Sequence, residues 1–160
     1  MPTLRHLLSG NDDVVSVYLQ EAHTALPAVR AAALEGLGAV ASVAPEHAET
    51  ALKQLLPALQ DDNEEVRFAA IRSIREVVKA APKYIPLVLK PLGNACQDSS
   101  TRIHTYAAIT IAETGQQAPK HTQLALETLL KTCNHYDWFS HSAKSELMAL
   151  GEASPHYTPR

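Results

Sequence analysis

Cys133, His135, Asp137 and His141 stand within nine positions of one another, and all four are side chains of the types that bind a transition metal. Their spacing follows no zinc pattern. Cys133 also lies 37 residues after Cys96, which marks both as small apolar residues at one recurring core position, with free thiols. No metal and no other cofactor is expected. The chain has no glycine-rich phosphate loop, no nucleophile elbow and no carboxylate pair placed for acid–base work, so it reads as non-enzymatic.

The cations fall into two groups. Arg30 and Arg67, each following a valine, read as structural residues that reach acidic turn positions such as Asp61, Asp62 or Asp98. Arg72, Arg75 and Lys79, with Glu76 and Phe68, read as the outward stripe of one helix, where Phe68 is an apolar ring among charges. The matching stripe one copy earlier is small (Ala31, Glu35, Gly38, Ser42), and one copy later it is Thr105, Ile109, Ala112 and Gln116. The residues expected to touch a partner are Phe68, Arg72, Arg75, Lys79, Thr105 and Ile109. That partner is expected to be another protein or a peptide segment. Nucleic acid along Arg72, Arg75 and Lys79 is the alternative, but the first copy adds no cation and the net charge of −3 offers phosphate no general attraction.

The elements that position these residues are set by proline. Ala44-Pro45, Ala81-Pro82, Ala118-Pro119 and Ser154-Pro155 recur at 37, 37 and 36 residues, each with a ring residue two positions on: His47, Tyr84, His121 and Tyr157. Between them Val29-Arg30, Val66-Arg67 and Ile103-His104 hold the same register, followed by Ala33, Ala70 and Ala107, then Leu37, Ile74 and Ile111. Val66, Ala70, Ile74, Val77 and Ala81 recur every three or four residues, one stripe of an amphipathic helix.

Its start is marked by Asp61-Asp62-Asn63 and by Ser99-Ser100 in the next copy; the first copy has Pro27 behind the poor cap Leu26. A second apolar segment precedes each such helix, over Val14 to Ala22, Ala48 to Leu59, Ile85 to Cys96 and Leu124 to Cys133, with Pro57 and Pro91 expected to bend two of them.

The pattern predicts an all-α fold, a right-handed α-solenoid or α-α superhelix of about four helix pairs with a period of about 37 residues. Residues 1–160 are expected to form one domain, with repeats over 10–45, 46–82, 83–119 and 120–155. A hydrophobic share of 46% with only 5% aromatics agrees, since alanine-rich apolar content favours close-packed helices. Leu4, Leu7 and Leu8 are expected to cover the leading edge, and the helix about Ser140 to Gly151 to cap the other end. Tyr136, Trp138 and Phe139 would either cap the last core layer or form a sticky edge. No stretch reaches the roughly 20 apolar residues of a membrane span and no secretory signal is evident, so the expected address is intracellular, cytoplasmic or nuclear.

A kinked leucine-rich helix, an acidic turn and a helix opening Val-Arg, with alanine four and leucine or isoleucine eight residues after the valine, resembles the HEAT repeat. Asp61, Val66, Arg67, Ala70 and Ile74 carry the match best, and the first copy keeps Val29, Arg30, Ala33 and Leu37. The third copy departs at His104, where the family prefers arginine. The resemblance covers roughly residues 12 to 152. It implies a scaffold or adaptor that binds a protein on the concave face of the second helices, alone or within a larger complex or a longer array. It also leaves two alternatives: nucleic-acid binding as in HEAT-like DNA alkylation repair proteins, and a subunit like the HEAT-like lyases that attach bilin pigments, whose repeats are shorter than this period.

Overall fold

The structure, a computed structural model, describes residues 11–118 and 121–132. Every regular element among them is helical: α1 (Asn11–Glu21), α2 (Pro27–Val43), α3 (Ala48–Ala58), α4 (Glu64–Ala80), α5 (Ile85–Ala95), α6 (Thr101–Gln117) and α7 (Thr122–Thr132). Short helices of 11 residues alternate with long ones of 17, as a repeat of helix pairs requires.

The same local chemistry ends each long helix. A residue before proline is sterically pushed out of the α region, and Ala44, Ala81 and Ala118 adopt φ of −129°, −132° and −130°. The prolines then open single 3-10 turns at Pro45–His47 and Pro82–Tyr84. At the other end, Asn63 Oδ1 accepts from the amides of Glu65 (3.0 Å) and Val66 (3.4 Å), and Ser100 Oγ accepts from that of Ile103 (3.4 Å). Leu26 supplies no side-chain cap, and Pro27, lacking an N–H, leaves one donor fewer to satisfy there. Pro57 and Pro91 lie inside α3 and α5.

The chain divides into two compact units between Ala81 and Pro82, beside an expected repeat boundary. In the first, α2 packs along α4, with α1 against α2 and α3 against both long helices. Leu34, Leu37, Leu52, Leu55, Ile71 and Ile74 are fully buried there, each burial stabilising by roughly 1.5–3 kcal/mol. Small residues allow the close approach of α2 and α4: a Cβ on Gly38 would stand 2.6 Å from Ser73 Cβ and 2.9 Å from its Cα. Gly36 likewise lies against the ring of Tyr18 on α1.

In the second unit α5, α6 and α7 pack on one another around Ile85, Leu89, Leu92, Ile103, Ile111 and Leu129. Thr110 and Thr114, buried on α6, donate their hydroxyls to the carbonyls of Tyr106 (2.8 Å) and Thr110 (2.6 Å), so neither is left unsatisfied. Cys96 is buried and in no disulfide. Leu4, Leu7 and Leu8, the Cys133, His135, Asp137 and His141 group, the Tyr136, Trp138 and Phe139 cluster and the helix about Ser140 to Gly151 lie outside the described residues.

Candidate functional site

The fourth position of each long helix has one job in the three described copies. Arg30 Nη1 donates to the carbonyls of Thr24 (3.0 Å) and Ala25 (3.1 Å), and Arg67 Nη1 donates to those of Asp61 (2.8 Å) and Asp62 (3.2 Å), one period later. His104 stands at the third copy with Nδ1 3.2 Å from the carbonyl of Asp98, a contact that its Nδ1–H tautomer makes as a donor. The turn carbonyls of three successive copies are therefore held from the helix that follows them. Histidine, where arginine is expected, keeps the contact.

Arg30 does more. Its Nε and Nη2 donate to Oδ2 (2.9 Å) and Oδ1 (2.8 Å) of Asp61, a bidentate pair linking the first pair of helices to the next turn. Asp61 Oδ1 also accepts from the amide of Asn63 (2.9 Å). Partial burial pushes the Asp61 carboxyl up, but the hydrogen bonds from Arg30 and Asn63 and the charges of Arg30 and Arg67 outweigh it and hold the group below the ordinary carboxylate range. The hydrogen bond to Asp61 likewise raises Arg30. These arginines are structural, as their register suggests.

The stripe expected to face outward on α4 is turned relative to expectation. Phe68 is buried, at 9% exposure, because α4 is packed by α2 and by α3 and so buries more than half its circumference. Its ring is a core residue and not the exposed anchor that the charges around it suggested. Gly38, in the matching stripe of α2, is also buried, and so is Ala112 on α6. What α4 presents outward is Arg72, Glu76 and Lys79, with Arg75 half-buried.

Arg72 donates to Glu35 Oε1 at 3.0 Å, with the two side chains 57% and 49% exposed. The two positions are one period apart, so the pair joins equivalent places on adjacent long helices. Its guanidinium lies 6.0 Å from the centre of the Phe68 ring, which ties the exposed cation to the core below it. Lys79 pairs with Glu76 at 3.2 Å. Sequence spacing carried a signal for the Glu35–Arg72 pair, opposite charges separated by one period, that the stripe-by-stripe comparison missed. Thr105 and Ile109, half-buried and one turn apart on α6, belong to the second unit.

No group of three or more potential metal ligands occurs among the described residues, and no helix among them is long and apolar enough to cross a membrane. A family model described as HEAT repeats matches residues 15–90, which run from α1 into α5. No curated protein and no solved structure matches the chain.

Proposed function

We propose, from the match of residues 15–90 to HEAT repeats, a non-enzymatic scaffold or adaptor that binds another protein along the outer edge of α2 and α4. HEAT repeats are commonly protein-interaction scaffolds and are generally non-catalytic. The observation that supports the reading most directly is the Glu35–Arg72 pair above Phe68: an exposed ion pair set on a rigid, close-packed pair of helices. An exposed pair of this kind contributes little to stability, on the order of 0–1 kcal/mol, so its charges remain available to exchange for a partner's. Arg75 and Lys79 extend that edge along α4; on α6, Ile109 holds the place of Arg72 and Thr105 that of Phe68. Phe68 serves by supporting Arg72 from beneath and not by inserting into a partner.

The test is capture of partners from a native lysate by the chain and by its Arg72→Glu, Lys79→Glu variant. Loss of a specific co-purifying protein, with an unchanged circular-dichroism spectrum, is the expected result. Capture of the same protein at the same yield by the variant would remove this edge as the contact.

A further inference from the structure

Three features secure the start of α4, and α6 has the weaker form of each. The clamp comes first. Arg67 reaches back to two turn carbonyls, those of Asp61 (2.8 Å) and Asp62 (3.2 Å), whereas His104, one period on, reaches the carbonyl of Asp98 through Nδ1 at 3.2 Å. A guanidinium carries five N–H donors on a flexible stem, while an imidazole can turn only one of its two nitrogens toward a given turn. The cap is next: Asn63 Oδ1 accepts from two first-turn amides, Glu65 and Val66, and Ser100 Oγ from that of Ile103. Charge is third. α4 opens on Glu64 and Glu65, which suit the positive end of a helix, and α6 on Thr101 and Arg102, the second of the opposite sign.

We propose that the start of α6 is a conformational joint of the second unit: the turn from Asp98 to Arg102 opens locally, with the rest of α6 still folded, far more often than the matching turn from Asp61 to Glu65 does in the first.

The two turns are otherwise alike. Asp98 Oδ1 accepts from the Ser100 amide at 2.8 Å as Asp61 Oδ1 does from that of Asn63 at 2.9 Å, and the amides of His104 and Arg67 both bond the carbonyl of the cap residue, at 3.1 and 3.2 Å. What differs is the clamp, the cap and the charge. Ile103 and Ala107, at 0% exposure, anchor α6 in the core just beyond the turn. Ser99 and Thr101 are exposed and Asp98, Ser100 and Arg102 half-buried, so opening gives up little apolar burial. It parts the His104 ring from the Asp98 carbonyl and removes the acceptors of the Ser100, Ile103 and His104 amides.

The test is native-state hydrogen exchange of the full ¹⁵N-labelled chain, followed by NMR at urea concentrations below unfolding. Corrected for intrinsic rates, Ser100, Ile103 and His104 are expected to exchange at least about tenfold faster than Asn63, Val66 and Arg67, with a urea dependence near zero, while Ile111 exchanges slowly and with a steep one. His104→Arg and, separately, Thr101→Glu should each slow the α6 turn amides about twofold or more, and Arg67→His should speed those of α4. Thr101 is exposed and its replacement touches no core, so that variant decides the matter even where His104→Arg does not fold. Equal rates at the two turns, a urea dependence at Ile103 as steep as that at Ile111, or α6 rates unmoved by Thr101→Glu would overturn the joint.

Discussion

Asp61 holds three things: its carboxylate accepts from the guanidinium of Arg30 and the amide of Asn63, and its backbone carbonyl accepts from Arg67. Its folded carboxyl titrates below the unfolded value of about 3.9, so the stability it confers is fully present above pH ~4 and is lost as the pH falls through the folded value. Arg30 stays protonated across this range and adds no window of its own. Asp61→Asn keeps an oxygen for the Asn63 amide but removes the charge. Its melting temperature should fall several degrees below that of the parent at pH 7, and the gap should narrow in melts taken below pH 4. A gap independent of pH would mean that the charge is not what the site uses. Phe68 gives the second prediction at this scale. Phe68→Ala should cost roughly 3 kcal/mol in urea unfolding, as a core ring does; a cost near zero would return it to the surface.

Helix boundaries were legible because each has a local cause. An alanine before proline must leave the α region, and Asn63 and Ser100 carry oxygens that accept first-turn amides. Helix faces were less legible, because which side of α4 is exposed depends on α2 and α3 together, and neither neighbour's position is written in the α4 sequence. Phe68 and Gly38 were misplaced for that one reason. The uncapped start of α2 offers a direct test, since Leu26 is 63% exposed and loses little on replacement. Leu26→Asn should stabilise by about 1 kcal/mol, and Asn63→Ala should destabilise by about the same amount, each read as a shifted urea midpoint with an unchanged slope. Gly38→Ala should be costly, about 1–3 kcal/mol, because it meets the Ser73 backbone as well as its side chain. Adding Ser73→Gly should recover only part of the loss.

For the molecule as a whole, the 37-residue period organises more than the core. It returns the turn-clamping contact at Arg30, Arg67 and His104, and it separates the paired charges Glu35 and Arg72. A partner cannot be read from the same period, because what repeats is what the stack needs; specificity rests on departures from it, such as Arg72 where the first copy has glutamate and the third has isoleucine. Those departures also bear on nucleic acid. The two exposed cations of α4, Arg72 and Lys79, are each matched by a carboxylate, Glu35 and Glu76, within a chain of net charge −3. If Arg72, Arg75 and Lys79 all bound phosphates, three neutralised charges would give a salt slope near −2.7, or about a 40-fold loss of affinity between 50 and 200 mM salt. The expected result in a gel-shift titration is no retention of duplex or single-stranded DNA even at 50 mM salt. Retention that fell by that factor, and that Arg72→Glu removed, would make the α4 edge a phosphate-binding surface.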